Sequence, residues 1–292
     1  MRSVKFLVAA GAATLLSSAA FAADMPSIMP PPQPYYAPPP QQDFGGWYLR
    51  GDVGMTNSQG KLHSNSYDTL PAGTTLTQNG EGFTGGTSWG VGVGYQFNNW
   101  LRGDITGEYR SRVAFSGADY VMFPNGGGPL ADSYTGGYTS WVGLVNAYAD
   151  LGTWWCLTPF VGVGVGAAHI QTTGFQDSTT VFTTVGVPPA TQAVVTGGSY
   201  FANGASTTNF AWAAHAGVAY KVNNNFTVEL AYRYLDMGTA VHGFGSSFDG
   251  SNSGQSSFQY RDLISQDVRL GVRWNLDCCD YNPPPRPLVT KG

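Results

Sequence analysis

Ionisable side chains recur at every second position in several short segments, and the chemistry this permits is electrostatic rather than covalent. Arg102, Asp104, Glu108 and Arg110 share one parity of a ten-residue run, whereas Leu101, Gly103, Ile105, Gly107 and Tyr109 share the other. Successive side chains of a strand point to opposite faces, so this run has one ionic and one apolar face. The same reading of the neighbouring runs places Arg50, Asp52, Arg102, Asp104, Glu108, Arg110, Asp150, Lys221, Glu229, Arg233, Asp267, Arg269 and Arg273 on ionic faces, seven basic against six acidic, with His215 on the same parity. Charge so nearly matched can neutralise itself in an enclosed space, where a charge is tolerable only when paired and hydrogen-bonded. Arg233 is expected to hold Glu229 or a cross-strand acid.

Covalent chemistry has less support. A serine nucleophile needs a base within hydrogen-bond reach and a third group to orient it. His63 and His242 fall in long inter-strand intervals, His169 near a strand end, and His215 reads as a hydrogen-bonded interior residue. A ligand such as haem would meet His169 and the loop histidines. Glycines 90, 92 and 94, and again 162, 164 and 166, alternate with valine. They fit strands whose large charged neighbours on adjacent strands leave no room for a side chain, rather than a phosphate-binding loop, because no lysine-bearing Gly-rich loop occurs. Cys156, Cys278 and Cys279 lack metal-ligand spacing, so neither metal nor cofactor is expected. A disulfide between Cys156 and either Cys278 or Cys279 stays open, and one of those two would be left as an odd thiol.

The elements that would position these faces are short strands. The 292 residues carry 11% charged and 14% aromatic side chains with 40 glycines, and the mean hydropathy is −0.13. That is too little charge for an ordinary globular domain and too polar overall for a helical membrane protein. Residues 1–22 read as a signal peptide, with Arg2 and Lys5 ahead of an apolar core and Ala20-Phe21-Ala22 at the cleavage site. Its removal leaves 12 basic and 18 acidic residues, a net charge of about −6, which argues against a nucleic-acid partner. Residues 23–45 form a proline-rich segment expected in the periplasm, 46–276 a barrel, and 277–292 a proline-rich tail.

Eight alternating runs are predicted at about 46–56, 86–97, 100–112, 138–151, 159–170, 209–222, 226–236 and 262–275. Their connections alternate between short and long, as do the two ends of an outer-membrane barrel. An all-β, eight-stranded, antiparallel, up-and-down transmembrane barrel follows, with both termini periplasmic and four long extracellular loops. The third loop, around Pro188-Pro189, reads as a projecting hairpin; entry into the bilayer would make ten strands. All eight tryptophans then fall at strand ends, where the two membrane interfaces concentrate indoles.

Several segments resemble the alphaproteobacterial outer-membrane surface-antigen barrels, related in architecture to the small OmpA-type barrel. They are Gly46-Trp47-Tyr48-Leu49-Arg50-Gly51-Asp52, Gly143 to Gly152, Thr158 to Ala168, Ala231-Tyr232-Arg233-Tyr234-Leu235 and Asp267 to Trp274. The resemblance implies a non-enzymatic barrel for envelope integrity and surface exposure, with lipid, lipopolysaccharide and the barrel-assembly machinery as partners. A narrow porin-like channel, a haem or small-ligand receptor and an adhesin are the competing classes. Such barrels commonly end on the aromatic of the last strand, whereas here residues 277–292 follow Trp274-Asn275-Leu276, which makes the assembly signal internal.

Overall fold

A computed structural model describes residues 46–124, 129–187 and 190–276. The expected signal segment, proline-rich segment and tail lie outside the described residues. Thirteen strands occur: β1 (Gly46–Ser64), β2 (Thr75–Phe83), β3 (Gly85–Gln96), β4 (Leu101–Met122), β5 (Leu130–Asp150), β6 (Leu157–Val187), β7 (Ala190–Ala202), β8 (Ser206–Lys221), β9 (Phe226–Asp236), β10 (Ala240–Val241), β11 (Phe244–Ser247), β12 (Gly254–Gln255) and β13 (Phe258–Asn275). All pairings between them are antiparallel. Hydrogen bonds run from β1 through β3, β4, β5, β6, β8, β9 and β13 and return to β1, so the ladder in this circuit has no edge.

The alternation in sequence sets which face turns inward. Along β5, Val142, Leu144, Asn146, Tyr148 and Asp150 are buried, while Trp141, Gly143, Val145 and Ala147 are exposed. Outside, Leu49, Val53, Val91, Val93, Ile105, Val145, Val161, Val163, Val165, Leu230, Leu270 and Val272 form an exposed apolar band, and all eight tryptophans are exposed with it. Trp89 pairs with Val53, six positions along β1 from Trp47, or ~20 Å at ~3.3 Å per residue. A cylinder greasy outside, with every ladder bond satisfied by closure, meets the condition for strands in hydrocarbon.

The count of thirteen strands departs from the expected eight because the long intervals are not loops. The β4–β5 hairpin continues its ladder from Val113↔Tyr138 to Val121↔Leu130. β2 pairs with the far end of β4, β7 with the far end of β6, and β11 with β7. The third long interval does form a hairpin, but it does not enter the wall of the circuit. β8 occupies the edge of β6 from Leu157 to Gln171, and β7 occupies that edge only beyond Phe175. Bulges at Gln59/Lys61, Arg110/Val113 and Thr135/Gly137 mark where wall becomes crown. They shift the register and sharpen the twist, which lets the strands close over a different filling.

That filling is apolar. Leu62, Val113, Phe115, Tyr134, Tyr138, Phe175, Met237, Phe258, Tyr260 and Leu263 form one buried cluster. Phe83 packs on Phe115, Tyr138 and Tyr260 at centroid separations of 4.9, 5.6 and 5.2 Å. Two or more ring contacts per aromatic hold the crown as a protein core rather than as a set of solvated loops.

Candidate functional site

The interior of the wall is the place where chemistry concentrates. Eight strands enclose a lumen only wide enough for side chains to fill it, and β1, β4, β9 and β13 each aim two or more ionic residues inward. Six arginines and six carboxylates meet there: Arg50, Arg102, Arg110, Arg233, Arg269 and Arg273 against Asp52, Asp104, Glu108, Asp150, Glu229 and Asp267.

Two groups are linked into one network. Towards the short-turn end, Arg50 reaches Asp52 at 2.8 Å and Asp104 at 2.7 Å, while Glu229 gathers Arg102 at 3.2 Å, Arg273 at 3.3 Å and Arg50 at 3.6 Å. Arg102 also holds Asp150 at 3.1 Å and lies over the rings of Tyr148 and Phe160, at 4.3 and 4.6 Å. Towards the crown, Arg233 and Arg110 share Glu108 and Asp267 at 2.6–3.0 Å. Arg269 joins the groups by touching both Asp52, at 3.2 Å, and Glu108, at 3.0 Å. The net charge of this set is zero, the arrangement in which a buried ionic group costs least.

Arg233 therefore holds the cross-strand acid Asp267 and, across the lumen, Glu108; Glu229 belongs to the other group. Lys221, expected inside, is not there. It is exposed at the end of β8, where the wall stops and a long side chain reaches solvent, and its main-chain N donates to Cys156 O. His215 lies inside, opposite Arg233 and 5.4 Å from the Tyr148 ring, but its Nε2 has no hydrogen-bond partner, so it packs rather than bonds there. His169 is exposed and bonds Thr208, and His63 bonds Asp68. His242, expected in a loop, is fully buried between Phe175 and Tyr260, out of reach of a surface ligand. Cys156 is exposed; Cys278 and Cys279 lie outside the described residues.

Neutral partners escaped the sequence reading, because nothing in their type marks them. Tyr48 donates to Asp104, Asn146 donates to Asp104 and Thr106, and Ser265 donates to Asp267 and accepts from Arg110. A second acidic group sits in the crown: Tyr67 and Tyr134 both donate to Asp119, which faces Asp132 across β4 and β5. Burial, with the neighbouring carboxylates, pushes Asp177 up to about 7 and Asp132 to about 6. Among the described residues no group of three metal-ligating side chains is close enough to hold an ion. One serine motif also escaped: Gly86-Thr87-Ser88-Trp89-Gly90 has the letters of a G-x-S-x-G nucleophile turn. Ser88 instead sits buried on β3 opposite Arg110, with no strand-to-helix turn and no histidine bonded to it, so the likeness is one of letters.

Glycine makes room for the network. A Cβ at Gly94 would overlap the Tyr48 ring and the Gly103 carbonyl, and one at Gly162 would overlap the Tyr148 ring. The valines between these glycines face outward, so strands β3 and β6 carry lipid-facing bulk and interior clearance at once.

Comparisons with known proteins show what this chain is similar to. An uncharacterized protein of Brucella suis biovar 1 is 31% identical over 257 residues, 78% of this chain and 84% of its own length. The outer membrane protein PagN of Salmonella typhimurium is 27% identical over 201 residues, 66% of this chain and 75% of its own. Among solved structures, Neisserial surface protein A is 16% identical, with 78% of this chain and 96% of that chain covered at a TM-score of 0.36. OprG from Pseudomonas aeruginosa is 14% identical, with 79% and 96% covered at 0.37. The family model described as "Outer membrane protein beta-barrel domain" matches residues 8–275. With the match running through every strand of the closed circuit, the chain belongs to the outer membrane protein β-barrel family.

Proposed function

We propose that this outer-membrane protein is a structural barrel whose eight-stranded wall spans the bilayer, supports envelope integrity and displays the crown at the cell surface, with both termini in the periplasm. The observation that carries this reading is the double closure of the lumen. Six arginines and six carboxylates fill the wall, and a buried aromatic cluster fills the crown above them. A conducting path would need a continuous file of water past the charged groups, and what speaks against one is that all of them are buried, with the Arg50 side chain 7% exposed.

Insertion into planar lipid bilayers tests the proposal. Purified, heat-modifiable protein is expected to give no unitary current steps over a range of voltages and salt concentrations. Reproducible steps of uniform size that scale with salt would replace this reading with a narrow channel. A saturable Soret shift on haem addition, abolished in a His169→Ala variant, would replace it with a haem receptor.

A further inference from the structure

Among the described residues, one strand edge of the crown is left open and unguarded. β7 is paired with β6 along its whole length, from Phe175↔Ala202 to Val187↔Ala190, without a register shift. Its outer edge is covered only at the base, where β11 pairs with Tyr200, Phe201 and Ala202 and a last bond runs from Phe248 N to Ser199 O at 2.9 Å. There β11 leaves, turning back through Gly250 towards β12. From Gly198 up to Val194 no strand among the described residues lies against the outer side of β7. Main-chain groups of a strand face alternate sides, and Ser199 O faces β11. Gly197 and Val195 therefore present N–H and C=O to the same open side.

Exposed edges are normally blunted by charge, proline or a bulge, since bare N–H and C=O rows template strand pairing. The opposite edge of the crown follows that rule: β2 carries Glu81 inside a bulge between Asn79 and Gly82. β7 does not. Between Asp177 and Lys221 the chain has no Asp, Glu, Lys or Arg, and Val194-Val195-Thr196 is a β-branched run suited to a pleated neighbour. Where β11 departs, a groove of about 650 Å³ opens between Thr179, Gly197, Gly198, Ser199, Phe248 and Asp249, and Phe248 stands 88% exposed at its wall.

We infer that the outer edge of β7, from Val194 to Ser199, is a docking edge for an extended, uncharged polypeptide segment, which adds to the crown as a strand antiparallel to β7 and sets an apolar side chain on Phe248. A backbone is the occupant because only another backbone matches donors and acceptors repeating at every second residue of an edge. It is uncharged beside Val194 to Gly198 because a charge placed there would find no partner on β7; the one charge lining the groove, Asp249, belongs to the turn between β11 and β12. The face beside Gly198 is open to receive it, since a Cβ there would have nothing within 4 Å.

The test uses the whole protein in lipid nanodiscs and a fluorescein-labelled peptide with the sequence of residues 178–187, which already pairs with β7 on its inner edge. Anisotropy is expected to show saturable binding. Val195→Pro removes a donor on the open side and leaves the β6–β7 ladder intact, as proline is tolerated at edges. It is expected to weaken binding at least about fivefold, the size of one net hydrogen bond. Val195→Ala keeps the donor and should bind within about twofold of the parent, and a peptide N-methylated at alternate residues should not bind. Heat-modifiable migration of each variant shows that the wall has formed. Equal binding by Val195→Pro, no saturable binding by the parent, or a cross-link at a cysteine placed at 195 showing the edge already filled by a second copy would each overturn the inference.

Discussion

Arg233 is the residue whose removal speaks most directly to the filled lumen. It donates from Nε and Nη2 to Asp267 at 2.9 and 2.6 Å, and from Nη1 and Nη2 to Glu108 at 2.8 and 2.6 Å, with the whole side chain buried. Arg233→Met keeps most of the volume and removes the charge, turning six cations against six anions into five against six. Losing one partner of a buried pair costs ~3–5 kcal/mol where the stranded charge has nothing else. Glu108 keeps Arg110 and Arg269, and Asp267 keeps Arg110 and Ser265, which places the expected cost near the lower bound of ~3 kcal/mol. For a domain of this size ~3 kcal/mol lowers the midpoint by ~6–12 °C. The assay is loss of the compact band on unboiled SDS gels across a temperature series, at one fixed heating rate because barrels of this kind unfold irreversibly. Adding Glu108→Gln restores the charge balance, and the double variant should melt above Arg233→Met. An unchanged midpoint in the single variant, or a double variant that melts lower still, would refute the argument that pairing, rather than shape, holds the lumen shut.

Four other outcomes follow from the geometry. Burial raises Asp177 from 3.8 to about 7, so the crown contribution of its protonated form is present at low pH and lost as pH rises through about 7; limited proteolysis of the crown should therefore quicken from pH 6 to 8 in the parent and by less in Asp177→Asn, where Asp132 is the raised carboxyl that is left. Burial depresses His242 from 6.5 to about 4, the opposite sign, so stability present above pH 6.5 is lost as pH falls towards 4, and His242→Phe should remove that acid loss in the same assay. Gly162→Ala, whose Cβ would overlap Tyr148, should cost ~1–3 kcal/mol in gel-shift melting, whereas Gly107→Ala, with nothing within 4 Å, should leave the midpoint within ~0.5 kcal/mol of the parent. In cells carrying Cys278→Ser and Cys279→Ser, an impermeant maleimide should label the exposed Cys156 only after the outer membrane is breached, and labelling of intact cells would reverse the proposed orientation.

The amino-acid order by itself determined which face of each wall strand carries the ionic residues. Inside and outside follow from a period of two, a local property: Arg102, Asp104, Glu108 and Arg110 must share a face if that stretch is extended at all. Short turns such as Asn98 to Trp100 and Asn223 to Asn225 announce themselves in their asparagines, whose side chains accept from the next main-chain N–H groups. Partner choice could not be read that way. Arg233 meets Glu108 across 125 positions because barrel closure and strand register bring them together, and a parity rule says nothing about register between strands so far apart. The crown was hidden for a related reason. Bulges at Arg110/Val113 and Thr135/Gly137 break the alternation just where the strands leave the apolar band, and the Gly-, Ser- and Thr-rich stretches beyond resemble loops. Only packing of Phe83, Phe115, Tyr138 and Tyr260 against one another, drawn from strands distant in the chain, turns those stretches into sheet. Lys221 shows the same limit at the other end, since its parity points inward but the wall has ended by the time the chain reaches it.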